Sequence, residues 1–247
     1  MLYVSPRPAP SSTGARWRVT ALAVLLAIAC GLLLHMTRAR YAPGCAAYPP
    51  VRGTMLIGHA GGGLPNRTYA NNLAALDAGY ARGLRIFELD LHELPFGGIR
   101  TGHDWYDVLD PASAWLSDVA AWLRRHPDAR LITDFKTDNA RGLARLARLA
   151  PDLRGRIMPF VYTPGDYPVA RALGFDKVVF ASYRQRADRG WLDYVNDHDV
   201  AAVAIPYRDI GLLPLIHRPV FVHVLEAMPA QRGFAGIITD CLVPVRA

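Results

Sequence analysis

The sequence predicts an α/β fold in which eight parallel strands alternate with helices and close into a (β/α)8 barrel. Three observations carry that expectation. Eight short apolar runs recur between residues 54 and 240, and stretches with apolar residues at three- and four-residue spacing separate them. Charged side chains gather near the ends of these runs, where a barrel places its functional groups. A doubly wound open sheet is the alternative. The turn "GHAGGG" after the first run lacks the G-x-G-x-x-G order, with a later ribose-binding acid, of a dinucleotide site.

Residues 1–18, rich in Pro, Ser and Arg, read as a disordered cytoplasmic tail. Val19 to Met36 is an uncharged apolar run, long enough as a helix to span a hydrocarbon core of about 30 Å. It exceeds the usual signal-peptide core of about 7–15 residues, and "TRARYAPG" offers no clear small-x-small cleavage site, which favours an uncleaved anchor. Three arginines precede the run and two follow it closely, so the charge rule places the N-terminus inside. The expected location is a single-pass membrane protein with its folded part on the extracytoplasmic side, periplasmic or at the cell surface. Residues 37–53 form a linker containing Pro and Ala, and residues 54–247 form the barrel. Cys45 and Cys241 flank the barrel; in an oxidising compartment they form a disulfide or stand as two unrelated thiols.

The strand candidates are "TMLIGHA", "RIFELDL", "ARLITDFK", "IMPFVY", "KVVFASY", "VAAVAIPY", "PVFVHVLE" and "GIITD". The helical candidates are "NNLAALDAGYARG", "PASAWLSDVAAWLRRHP", "NARGLARLARLAP", "YPVARALG", "ADRGWLDYVNDHD" and "IGLLPLIHRP". Leu116, Val119, Ala120 and Leu123 line one helical face, as expected of a helix covering a sheet. The second connection is irregular, because "ELPFGGIRTGHDW" intervenes before its helix. The six residues after Cys241 leave no room for a full final helix, so the linker or the membrane surface is expected to cover that flank.

The net charge of +7 is unevenly spread, since six arginines and no acid precede residue 53 and the remainder carries about +1. A near-neutral barrel lacks the basic face needed to bind a phosphate backbone, which argues against nucleic acid as a partner.

The chemistry lies in "FELDLHELPFGGIRTGHDW", Phe87 to Trp105. On a strand, Glu88 and Asp90 point to one face, and two carboxylates inside a barrel need a compensating charge. Asp134 and Lys136 repeat the i, i+2 arrangement. Three oxygen donors from Glu88, Asp90 and Asp134 suit a hard divalent cation, Mg²⁺ or Ca²⁺. Lys136 suits an anionic substrate oxygen. His59, before Gly61 to Gly63, and His103 suit acid–base work, and the set is the equipment of phosphoryl transfer. His223 is a candidate substrate contact or a core histidine, Trp105 a candidate lining of the leaving-group side, and Asp240 a mouth-lining or loop-fixing residue.

Taken together, "HAGG" at His59, "ANNLAAL" from Ala70, "FELDL", "GHDW" at His103, "TDFK" and "GIITD" ending at Asp240 resemble the glycerophosphodiester phosphodiesterases, over residues 55–241. The resemblance implies a TIM barrel with Mg²⁺ or Ca²⁺ held by Glu88, Asp90 and a third carboxylate, here Asp134. It makes Lys136 a phosphate ligand and His59 and His103 the acid–base pair. It also implies attack of a substrate hydroxyl on phosphorus, departure of an alcohol, and hydrolysis of a cyclic phosphate. The implied partner is a small phosphodiester or a phospholipid headgroup. Three departures stand out: Ala60 replaces the usual arginine, Asn71 stands where glutamate is common, and Asp134 is one methylene shorter than the usual glutamate. A catalytically silent barrel that binds a phosphodiester or polyanion at the cell envelope is the competing expectation.

Overall fold

The computed structural model describes residues 13–37, 54–64, 67, 69–185, 190–223 and 233–240. The chain divides into two units, Met1–Ala39 and Arg40–Ala247. The first contains one helix, α1 (Thr13–Thr37). Its side chains are described over residues 17–31, and all of them are exposed. Among the described residues no helix is long and apolar enough to cross a membrane. The expected tail and linker, Cys45 and Cys241, and any element after Asp240 lie outside the described residues.

The second unit is a closed barrel. Its parallel strands are β1 (Met55–Gly58), β2 (Ile86–Glu93), β4 (Arg130–Phe135), β5 (Ile157–Val161), β6 (Val179–Ala181), β7 (Ala202–Pro206), β8 (Val220–His223) and β9 (Gly236–Thr239). Each predicted apolar run contributes one of them. β1 pairs with both β9 and β2, and this closes the ring. Strands buried on both faces read as continuous Val/Ile/Leu-rich runs rather than alternating ones. Inside the barrel Ile57, Ile132, Phe160, Val179, Ala204 and Ile238 form one packed cluster. The outer faces of the strands build the larger core against the helices, through residues such as Phe87, Phe135 and Phe180.

Helices α2 (Leu73–Ala81), α4 (Leu116–Arg125), α5 (Asn139–Leu149), α6 (Asp166–Ala172) and α7 (Gly190–Asp197) match the helical patterns. Caps account for several starts. The Asn72 side chain accepts from the Ala75 N–H, and Asp138 from the Arg141 N–H, satisfying amides that a helix's first turn leaves unpaired. On α4 the predicted stripe of Leu116, Val119, Ala120 and Leu123 is buried.

Two expectations need correction. Of the region read as a helix over "IGLLPLIHRP", Ile210 to Leu215 fall in a 3-10 segment, Tyr207–Leu215, because Pro214 removes an N–H and its ring clashes with an α-helical carbonyl. The irregular second connection contains regular structure: β3 (Ile99–Thr101) runs antiparallel to β2, with Leu91 opposite Thr101 and Glu93 opposite Ile99, and α3 (Trp105–Leu109) follows. The hairpin carries β2 onward past the last residue it pairs with on β4, and returns the chain to His103.

Candidate active site

Register brings the carboxylates together. β2 and β4 pair so that Asp90 lies directly beside Asp134, with Glu88 beside Ile132 one inward position earlier. All three carboxylates are buried, and their oxygens lie within 4.8 Å of one another. Lys136, one inward position beyond Asp134, places its ammonium 2.8 Å from Asp90 Oδ1 and 2.7 Å from Asp134 Oδ2. The carboxylates raise the pKa of that ammonium although burial opposes it.

Each carboxylate has a distinct environment. Asp90 Oδ2 accepts from Asn71 Nδ2 at 2.8 Å, while the Asp90 N–H donates to Asn71 Oδ1 at 2.9 Å. Asp134 accepts from the hydroxyls of Tyr162 and Tyr183 and lies 3.5 Å from Arg184 Nη2. Burial pushes its carboxyl up, but Lys136 and the two tyrosines hold it below the usual range. Glu88 is the least compensated member. Its Oε2 accepts from the Ala60 N–H at 2.9 Å, while Oε1 is buried with no hydrogen-bond partner. Burial and the Asp90 charge push the Glu88 carboxyl up to about 8.

A hard cation fits this donor set. Lys136 and His59 offset the Glu88 charge without overcoming its burial; such an ion would add positive charge there, and the orphaned Oε1 is an acceptor it would satisfy. The residues that would hold it are Glu88, Asp90 and Asp134.

His59 follows β1 in a 3-10 turn, His59–Gly61. Its Nδ1 lies 2.9 Å from Asp240 Oδ2 at the end of β9, and its Nε2 lies 3.9 Å from Glu88 Oε2. Asp240 accepts only from a protonated Nδ1, so the carboxylate sets which nitrogen carries the proton and how the ring is turned. Burial disfavours the imidazolium, but Asp240 and Glu88 outweigh it, and the pKa rises to about 9. Gly63, at φ +66°, makes this approach possible, since a Cβ there would meet the Asp240 carbonyl oxygen at 2.7 Å.

The two histidines flank one tyrosine. The Tyr69 ring is 4.5 Å from that of His59 and 5.1 Å from that of His103, edge-on to both. Tyr69, Asn71 and Ala60 all adopt left-handed backbone conformations, with φ of +50°, +45° and +48°. Such conformations are costly for non-glycine residues and collect at functional sites. Here the Asn71 N–H donates to the Ala60 carbonyl at 2.8 Å, locking the two turns together. Ala60 is fully buried, so residue 60 offers no open position for the arginine that the resembled family carries there.

Of the remaining expected site residues, His223 stands at the mouth, 5.2 Å from the His59 ring and stacked on Tyr183 at 5.1 Å. Burial and neighbouring His59 hold it neutral, with a pKa near 3. Trp105 lies on α3, half-exposed, with its ring 5.2 Å from that of His92. Sequence reasoning missed the pairing of Asp240 with His59, the Asn71 clamp on Asp90, the placement of Tyr69, and the Tyr162–Tyr183–Arg184 shell on Asp134. A signal existed for the shell, because Tyr162 and Tyr183 end two of the apolar runs, at the rim where functional groups collect.

No protein-family profile matches this chain, and no curated protein does. Solved structures do match in fold. A glycerophosphodiester phosphodiesterase from Thermotoga maritima is 13% identical with a TM-score of 0.56, over 77% of this chain and 96% of its own. One from Parabacteroides distasonis ATCC 8503 is 14% identical with a TM-score of 0.56, over 76% and 93%. A phosphodiesterase from Oleispira antarctica, solved in complex with the product sn-glycerol-3-phosphate, is 12% identical with a TM-score of 0.54, over 75% and 92%. This chain is thus similar in architecture to glycerophosphodiester phosphodiesterase barrels over nearly the whole of their length.

Proposed function

We propose that this protein is a divalent-cation-dependent phosphodiesterase that hydrolyses glycerophosphodiesters or related phospholipid-derived diesters. The observation that carries the reading is the Glu88–Asp90–Asp134 cluster, with its orphaned Glu88 oxygen, beside the His59–Asp240 pair at the C-terminal mouth of the barrel. The phosphodiesterase architecture of the structural neighbours, one of them holding sn-glycerol-3-phosphate, supports it. A Mg²⁺ or Ca²⁺ held by Glu88, Asp90 and Asp134 would supply Lewis-acid polarisation of a phosphoryl oxygen. The chain's own groups do the rest. Lys136 and Arg184 offset anionic charge beside Asp134, His59 and His103 move protons, and Asp240 acts as a positioning residue for His59.

The proposal includes the anchor. Val19–Met36 forms a single-pass membrane helix with the barrel on the extracytoplasmic side. Support comes from residues 17–31 of α1, apolar in nearly every direction and exposed throughout, the character of a helix meant for a lipid surround. A reporter fused after Ala247 is expected to be active only outside the cytoplasm; cytoplasmic activity overturns this topology and the Cys45–Cys241 disulfide with it.

The enzymatic reading is tested by alcohol release from a panel of glycerophosphodiesters and lysophospholipids, with Mg²⁺, Ca²⁺ or chelator, by wild type, His59→Ala and Glu88→Ala proteins. Cation-dependent turnover is expected, reduced on the order of 10²-fold or more in each variant. A folded wild type that binds cation yet turns over nothing in the panel overturns it, and favours the silent binding barrel that the missing arginine at Ala60 would suit.

A further inference from the structure

His103 lies between β3 and α3, and two hydrogen bonds fasten its segment to β2. The Gly102 N–H donates to the Asp90 carbonyl at 3.0 Å, and the His103 carbonyl oxygen lies 3.2 Å from Nε2 of His92. A carbonyl only accepts, so Nε2 of His92 carries a proton and donates it. His92 stands two residues beyond Asp90 on β2, which puts its side chain on the face that carries the Glu88 and Asp90 carboxylates. On the other side the His103 N–H donates to Asp107 Oδ2 at 3.1 Å. Asp104 fixes the start of α3 by accepting from the N–H groups of Tyr106 and Asp107 at 3.0 and 3.1 Å. The N–H and the carbonyl of His103 are thus both held by side chains.

Burial makes the choice of histidine at residue 92 informative. The side chain is 4% exposed, and its Nδ1 is buried with no hydrogen-bond partner. An unmet buried nitrogen is unfavourable, and an apolar side chain would fill the place without it. Packing does not explain the histidine either. The Trp105 ring is 5.2 Å from that of His92, a contact that any aromatic residue could make. What phenylalanine lacks is the N–H that meets the His103 carbonyl.

We propose that His92 is the positioning residue for His103: its Nε2–H holds the His103 carbonyl and so sets where the His103 imidazole stands over the carboxylate cluster. With the N–H pinned by Asp107 and the carbonyl by His92, the His103 backbone has little freedom to turn, and the direction of its Cα–Cβ bond follows. Proton transfer needs that precision, since a misplacement of about 1 Å is enough to cost much of a rate. One strand, β2, then carries two of the three carboxylates and the residue that places the histidine. This deepens the phosphodiesterase reading and rests on it, because His103 is there a proton-transfer group.

Two variants separate the hydrogen bond from packing. His92→Phe keeps a ring against Trp105 and lacks the donor, whereas His92→Gln loses the ring and keeps an N–H at similar reach; His92→Leu replaces His92→Phe should the latter not fold. With the full chain in detergent micelles, kcat for glycerophosphocholine is expected to fall about tenfold in His92→Phe, the factor carried by one neutral hydrogen bond, with KM within about twofold. His92→Gln is expected to stay within about threefold of wild type. Amide deuterium uptake over residues 99–109 is expected to follow the same order, several-fold faster in His92→Phe than in wild type or His92→Gln, while residues 139–149 of α5 exchange alike in all three. The reverse order, with His92→Gln defective and His92→Phe normal, makes His92 a packing residue and overturns the proposal. An equal loss in both variants, a loss confined to KM, or faster uptake with unchanged kcat overturns it as well. If wild type turns over no diester, the phosphodiesterase reading fails, and deuterium uptake decides the hold on His103 by itself. Faster uptake in His92→Phe alone supports that hold, and any other order overturns it.

Discussion

Asp240 is 181 residues from His59 in sequence and 2.9 Å from it in space. The pair answers a question raised by every histidine, which of its two nitrogens keeps the proton when the imidazolium deprotonates. A carboxylate on Nδ1 keeps that nitrogen protonated and turns Nε2 toward Glu88, where a reacting phosphate would be met. Asp240→Asn preserves the shape but can present either an oxygen or an NH₂ to the ring. It is therefore expected to lower kcat on the order of 10²-fold with little change in KM, because the group acts on orientation and proton placement rather than on substrate affinity. Steady-state kinetics checks this, and a loss confined to KM would count against the positioning role. Gly63→Ala is expected to give a similar loss from the opposite direction, since its Cβ would meet the Asp240 backbone and displace the carboxylate from the imidazole.

At the level of elements, the attachment of β2 to α5 is both ionic and steric. Glu93, buried at the end of β2, accepts from Arg141 and Arg145 on α5, the latter at 2.8 Å. Burial pushes the carboxyl up, but the two guanidinium groups hold it below its ordinary value. A carboxyl depressed on folding stabilises above its unfolded pKa, about 4.3, and that contribution is lost as the pH falls through the folded value. Since Arg141 is largely solvent-exposed, the expected deficit of Glu93→Gln is modest, about 1 kcal/mol at pH 7, and it narrows as the pH drops below about 4.3. Urea unfolding at both pH values measures it. The same helix crosses β4 at Gly142, where an added Cβ would lie 2.4 Å from the Phe135 ring. Alanine improves helix propensity by about 1 kcal/mol, but overpacking costs about 1–3 kcal/mol, so Gly142→Ala is expected to lower the unfolding midpoint. The elements themselves were legible because buried parallel strands leave unbroken apolar runs. β3 and α3 were not, because three residues paired on one side and a five-residue helix leave no periodicity to count. The carboxylates Glu88 and Asp90 were legible for a local reason, the two-residue repeat of a strand, whereas Asp240 on His59, Asn71 on Asp90 and the tyrosines on Asp134 depend on barrel closure and register.

Over the whole molecule, closure makes the site a single thermodynamic unit. Glu88, Asp90 and Asp134 come from β2 and β4, His59 follows β1, and Asp240 follows β9, so the carboxylates join β2 to β4 and the His59–Asp240 pair joins the first strand to the last. A cation held by Glu88, Asp90 and Asp134 ties β2 to β4, and anything that binds the native state but not the unfolded chain stabilises by RT ln(1 + [L]/Kd). At a hundredfold excess over Kd this is about 2.7 kcal/mol, which for a domain of this size raises Tm by roughly 5–10 °C. Mg²⁺ or Ca²⁺ is therefore expected to raise the calorimetric Tm of the full chain by that amount, and chelator to reverse it. Nonspecific screening of the six N-terminal arginines cannot imitate this, because Glu88→Gln leaves those arginines intact and is expected to remove most of the shift. An equal shift in Glu88→Gln would place the cation away from this cluster, and no shift in wild type would mean that Lys136 and His59 balance the buried carboxylates without a divalent cation.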